Sequence, residues 1–146
     1  MYFVSITRLR LRSALFLPRF VFHTLKSIRQ VRLSNGFKKG ALLPDRRLTF
    51  WTMTVWDSQS NMRLYVSNGS HVEAMRHLMN WCDEASVVHW EQAHDLMPSW
   101  RDADLRMRRE GRPSNVTAPS HHHSILSFDQ VRPGRAMPIS PVRQSS

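Results

Sequence analysis

The sequence predicts an α+β domain of order β-α-β-β-α-β over residues 1–111, and three observations predict it. Residues 2–9 alternate from side to side as a strand does. Residues 17–31 carry an apolar side chain at every third or fourth position, as a helix does. Residues 48–56 are dense in Thr, Phe, Trp and Val, and a second helical stretch and a second alternating stretch follow them.

The elements follow in order. In the first strand Phe3, Ser5, Thr7 and Leu9 share one side, with Tyr2, Val4, Ile6 and Arg8 on the other. Pro18 suits the first turn of the helix that follows, where its missing N–H costs nothing. The apolar stripe of that helix is Leu17, Phe20, Val21, Leu25, Ile28 and Val31, and Arg19, His23, Lys26 and Gln30 take the opposite side. Ser34-Asn35-Gly36 stops it, because Asn and Gly tolerate left-handed backbone. A short strand over 37–43 and a turn at Leu43-Pro44-Asp45-Arg46 come next.

The strand Leu48–Trp56 has large groups on both faces: Leu48, Phe50, Thr52, Thr54 and Trp56 on one, Thr49, Trp51, Met53 and Val55 on the other. Both faces must therefore be covered. Asp57 is the expected N-cap of a second helix that Asn68-Gly69 interrupts, and Ser70 with Glu73 forms a capping box that restarts it to about residue 82. A last strand, Glu84–Glu91, turns Ala85, Val87, His89 and Glu91 to one side. A short helix over 99–110 closes the domain, stopped by Gly111.

Composition sets the wider limits. Residues 1–44 carry nine bases and no acid, 45–111 eight bases against ten acids, and 112–146 four bases against one acid. The net charge of +10 thus sits at the two ends, spread over strand, helix and tail, and reads as a solvated positive surface with no specific nucleic-acid site. The strand pattern at the start argues against an organelle presequence, no apolar run is long enough for a membrane span, and the single Cys82 points to a reducing compartment, so a cytoplasmic protein is expected. Residues 112–146 hold five prolines, many serines and little to bury, which predicts a disordered basic tail.

With both helices on one face of a four-stranded antiparallel sheet, the ferredoxin-like arrangement, the other face is bare in a single chain. That face would show Phe3, Ser5, Thr7, Phe50, Thr52, Thr54, Trp56, Val87, His89 and Glu91. Pairing two such sheets into a dimeric α+β barrel would enclose a lumen of mixed character, so a homodimer with a small-molecule pocket is expected. A one-residue slip would line the lumen with Trp51, Met53, Val88 and Trp90 instead.

The run Thr49-Phe50-Trp51-Thr52-Met53-Thr54-Val55-Trp56-Asp57, with Asn68-Gly69-Ser70-His71 breaking a helix, resembles the antibiotic-biosynthesis monooxygenase-like dimeric α+β barrels over residues 1–115. Trp81-Cys82-Asp83-Glu84-Ala85-Ser86-Val87-Val88-His89-Trp90 looks closer to a bacterial subgroup with spheroidene-monooxygenase-like relatives. The resemblance implies a monooxygenase-like oxidoreductase acting on an apolar or aromatic substrate. It also admits a non-catalytic interaction barrel, or a haem-binding protein with an axial histidine from the second helical region, where His71 and His77 lie.

Candidate chemistry centres on His89 and Glu91, two residues apart on one strand face and about 7 Å apart along it, as general base and partner carboxylate. Ser5, Thr7, Phe50, Thr52, Thr54, Trp56 and Val87 are the expected pocket residues, and His71 the expected haem ligand if haem binds. No cofactor is required by the reading. The five tryptophans are read mainly as core and interface anchors, and His121-His122-His123 as no preorganised metal site.

Overall fold

A computed structural model describes residues 1–142, and residues 143–146, the end of the expected tail, lie outside the described residues. The elements run β1 (Tyr2–Leu11), a 3-10 turn (Ala14–Phe16), α1 (Leu17–Arg32), β2 (Phe37–Asp45), β3 (Thr49–Trp56), α2 (Gln59–Val66), α3 (Gly69–Trp81), β4 (Cys82–Gln92), α4 (Trp100–Glu110), β5 (Arg112–Pro113) and β6 (Met137–Ile139). The β-α-β-β-α-β order stands, but the antiparallel sheet has six strands where four were expected, in the order β5-β4-β1-β3-β2-β6. The two additions come from residues beyond Gly111.

Local corrections have local causes. Ser58, and not Asp57, caps α2 by accepting from the Asn61 amide at 3.2 Å; the Asp57 carboxylate takes the Asn61 side chain instead. The Ser70–Glu73 box does not form, because α3 already starts at Gly69 behind Asn68, and Glu73 reaches across to Lys26. The β2–β3 turn lies two residues later than expected, with Arg47 and Leu48 both left-handed. Gly36, at φ 81°, is the one residue its turn admits, since a Cβ there would stand 2.2 Å from Asp57 Oδ1. At Ser99 the expected cap is present, the hydroxyl accepting from the Asp102 amide at 3.1 Å.

Each face of the sheet has its own cover. Helices α1, α2 and α3 lie over Phe3, Leu9, Trp56 and Ala85. On the opposite face Val4, Ile6, Trp51, Met53, Val55, Val88 and Trp90 pack against Ala103 and Met107 of α4 and against Val131 and Phe128. Trp51 is 0% and Val88 3% exposed in one chain. The premise of a bare sheet face is thereby overturned, and with it the reason to expect a sheet-to-sheet dimer.

The tail expected to be disordered is packed down: Phe128, Val131 and Ala136 add to that second cover, while Val116 and Ile139 join the clusters of the other face. Few side chains hold it, and each is well anchored. The buried Asp104 carboxylate accepts from the Val131 amide at 2.7 Å and from Arg108 Nε. The guanidinium carbons of Arg8 and Arg108 lie 4.1 and 4.2 Å from the Phe128 ring centroid. His123 accepts from the Ala85 amide on Nδ1 and donates from Nε2 to the Ser114 carbonyl at 2.7 Å, so its two ring nitrogens are spent on structure. Beneath, Glu84 pairs with Arg8 at 2.9 Å and Arg10 at 2.7 Å.

Replacing Asp104 by alanine should leave the buried Val131 amide without an acceptor and cost about 1–3 kcal/mol. The loosened segment then uncovers Trp51 and Val88. Light scattering is expected to give the mass of one chain for the parent and larger species for the variant. A parent that is already a sheet-paired dimer, or a variant with unchanged mass and melting temperature, contradicts this account.

Candidate functional site

The same backbone pattern that builds the helix-covered face also hollows it. Three strands meet in rungs: Phe3 faces Trp56 at one end, and Leu9 faces Phe50 at the other. Between those bulky rungs come two of short side chains. His89, Ser5 and Thr54 form one, and Val87, Thr7 and Thr52 the next. Cross-strand neighbours stand close enough to form a continuous floor. Helices resting on the tall end rungs cannot reach down to the short ones, and a cavity of ≈ 410 Å³ remains between floor and helices.

Six of the expected pocket and catalytic residues, Ser5, Thr7, Thr52, Thr54, Val87 and His89, line this cavity together. It lies under α1, α2 and α3, not in a lumen between two sheets. Phe50 and Trp56 are not lining residues. Phe50 packs at a tilt against Phe20, ring centroids 4.5 Å apart, while Trp56 is fully buried and donates from Nε1 to Thr54 Oγ1 at 2.9 Å, which holds that hydroxyl in the floor. Glu91 is exposed and outside the lining, so the His89–Glu91 pair is not assembled.

His89 instead packs against Phe3, ring centroids 5.4 Å apart. Burial lowers its pKa first, and the positive charges of Arg112 and Arg63 lower it further, so the ring is neutral at neutral pH. Its lone pair is then free to take a proton. His71, expected from the sequence, also lines the cavity. Its Nδ1 is 3.2 Å from the Val66 carbonyl, which can only accept, so Nδ1 carries the proton and Nε2 the lone pair. The Tyr65 ring packs against it at a tilt, centroids 4.7 Å apart, and Gln30 Oε1 accepts from its backbone amide at 2.8 Å. Burial lowers its pKa too.

Sequence reasoning missed His23, Arg63 and Arg112, all of which line the cavity. The apolar stripe of α1 places His23 on its outer side. The structure turns it inward with Phe20, Thr24, Ser27 and Ile28, and leaves Val21 and Leu25 45% and 57% exposed. Arg112 belongs to the tail. Among the described residues, no aspartate or glutamate lines the cavity, so its charged groups are both cationic. Cys82 offers no nucleophile: burial and the neighbouring Asp83 charge push its thiol up to about 12. The lining of this chamber is apolar apart from its hydroxyls, imidazoles and two guanidinium groups.

The chain matches the family described as "Domain of unknown function (DUF3291)" over residues 21–114, from within α1 to just past β5. No curated protein matches it. Among solved structures it is similar to SnoaB, a cofactor-independent oxygenase from Streptomyces nogalater, with 14% identity and a TM-score of 0.54 over 67% of this chain and 98% of that one. A protein described as an antibiotic biosynthesis monooxygenase gives 10% identity and 0.56 over 64% and 100%. Rv0793 from Mycobacterium tuberculosis gives 9% and 0.59 over 66% and 100%. At these identities the likeness is one of fold, the ferredoxin-like α+β fold of antibiotic-biosynthesis monooxygenase-like proteins. Among the described residues, no helix is long and apolar enough to cross a membrane.

The lowered histidines carry a sign for stability. Unfolded, each titrates near 6.5; folded, each titrates lower, so below that value the unfolded chain holds more protons than the folded one. Stability is full above about 6.5 and falls as pH drops through and beneath it. A melting series from about pH 7.5 to about pH 5 should show that fall. His71→Gln, which can still donate to the Val66 carbonyl, should flatten it. An equal fall in the variant would remove His71 from the cause.

Proposed function

The chain belongs to the DUF3291 family, a description that names a domain and no reaction, and from the cavity itself we propose that it binds a small aromatic molecule with an acidic oxygen and oxidises it without a bound cofactor. One observation carries this reading. A neutral histidine, His89, stands in a rung with Ser5 and Thr54 in an apolar chamber whose only charged groups, among the described residues, are Arg63 and Arg112.

The chemistry follows from those groups. His89 takes a proton from the bound molecule and the resulting anion is stabilised by the two arginines. A carbanion conjugated with an aromatic phenolate is a strong enough reductant to give electrons to dioxygen directly. For a ring methylene the balance is CH2 + O2 → C=O + H2O, the substrate supplying all four electrons. The fold shared with a cofactor-independent oxygenase supports the reaction type; the residues that would perform it are read from this chain alone. A homodimeric lumen is no part of the reading, because α4 and the segment around Phe128 occupy that sheet face. A non-catalytic barrel would have a filled interior, and the ≈ 410 Å³ chamber argues against it.

A second reading rests on His71. Its Nδ1–H is fixed on the Val66 carbonyl and its Nε2 lone pair is left for a ligand, the arrangement of a metal-bound histidine. His71 would hold the iron of a haem, with Arg63 and Arg112 available to the propionates, and the haem would supply oxygen or electron chemistry. Haem titration followed by absorbance separates the two. The first reading expects no His71-dependent spectral change, and the second expects one that His71→Ala abolishes.

Titrations with 2-naphthol and naphthalene, followed by tryptophan fluorescence, test the binding claim. Arg63→Gln and His89→Ala are expected to weaken the naphthol about tenfold and leave naphthalene nearly unchanged. With a hydroxyanthrone as substrate and oxygen uptake as readout, His89→Ala should lower kcat/KM by about 10²–10⁴, the usual worth of a general base. Equal effects on both naphthalenes, or uptake indifferent to His89, defeats the proposal.

A further inference from the structure

At the seam of α1 and α3, beside the cavity, the cavity residue His23 meets two groups that do not line it. Glu73 and His77 are four residues apart on α3, which places their side chains on one helical face a turn apart. His23 of α1 meets them across the seam, and one ligand atom from each of the three lies within 4.8 Å of the others. We propose that His23, Glu73 and His77 form a binding site for a divalent transition-metal ion, zinc in the first instance, bridging α1 and α3.

The donor set selects the ion class. Two imidazoles and one carboxylate suit borderline ions such as Zn²⁺, whereas Ca²⁺ and Mg²⁺ take oxygen ligands. Bonds of about 2.0–2.1 Å to a tetrahedral ion put the ligand atoms a little over 3 Å apart, so closing from 4.8 Å needs only side-chain rotation. Three protein ligands leave a fourth position open, as in zinc sites that keep a water.

Two observations besides proximity favour a ligand here. His23 Nδ1 is buried without a hydrogen-bond partner among the described residues, a cost that a bound ion and a settled tautomer would remove. Both imidazoles are also held by one aromatic platform. Trp81, itself buried, stacks on His77 with centroids 5.1 Å apart at 14°, and lies 5.5 Å from His23. The two imidazoles stand 5.0 Å apart, tilted at 40°. The competing contact is weak: Lys26 Nζ stands 3.6 Å from Glu73 Oε2 with both side chains well exposed, and such a pair gives way readily to a divalent ion.

The site does not rest on the proposed oxidation. Glu73 and His77 lie outside the cavity lining, and only His23 belongs to both. Metal-stripped, untagged protein titrated with ZnCl2 by calorimetry is expected to bind one ion per chain and to melt at a higher temperature with zinc present. His77→Ala, and separately the shape-conserving Glu73→Gln, should each weaken binding about 10–100-fold or more and remove the melting shift. A double alanine variant at the exposed His121 and His122 should retain both. Co²⁺ in place of zinc should give the visible bands of a four-coordinate site, lost in His77→Ala. No zinc binding, binding lost only in the His121/His122 variant, or a melting shift that survives in both seam variants would overturn the assignment.

Discussion

Everything in this molecule follows from a strand that cannot be left open on either side. β3 presents Trp51, Met53 and Val55 to one face and Phe50, Thr52, Thr54 and Trp56 to the other, and the Trp51 and Trp56 side chains are each wholly buried. Burying a large aromatic is worth a few kcal/mol, and exposing two on opposite faces of one sheet would forfeit it twice. A ferredoxin-like unit has helices for only one face. Here the chain continues for α4 and a further thirty residues, and that continuation covers the other. Asp104 and the paired guanidinium groups against Phe128 matter because they hold a proline-rich segment down with few contacts.

The cavity is the counterpart of that constraint on the helix side. Tall rungs at Phe3–Trp56 and Leu9–Phe50 carry the helices, and short rungs between them leave space. Close packing is normal inside proteins, so a void of this size bounded by hydroxyls, imidazoles and guanidinium groups is maintained by geometry rather than by a lack of apolar residues. Its electrostatics are equally one-sided. Asp83 and Glu84 are paired with Arg8 and Arg10, and among the described residues no carboxylate forms an ion pair with Arg63 or Arg112 of the chamber.

Much of the fold was legible in the sequence because strands announce themselves by alternation, and β1, β3 and β4 alternate strongly. The floor of the cavity was legible for the same reason: once Ser5, Thr7, Thr52, Thr54, Val87 and His89 share a face, register brings them together. The roof was not. α1 turns His23, Thr24 and Ser27 inward beside Phe20, Ile28 and Val31 and leaves Val21 and Leu25 exposed, so its apolar stripe locates the inner face only in part. The tail was illegible for another reason. Composition averages over a segment, and a handful of anchors such as His123, Val131 and Ile139 can fix a stretch whose average predicts nothing. Arg112 entered the cavity by that route.

The two shortest strands have a consequence for the chain's behaviour in a crowded solution. β5 pairs with the edge of β4 at Ser86 and Val87, and β6 with the edge of β2 at Gly40, Ala41 and Leu42. Each is only two or three residues long and each contains a proline, Pro113 in one and Pro138 in the other. Proline has no amide hydrogen to offer a newcomer, so each patch presents a broken row of donors. The segment that closes the core therefore also places a proline-bearing strand on each border of the sheet, the kind of edge that discourages pairing with another chain.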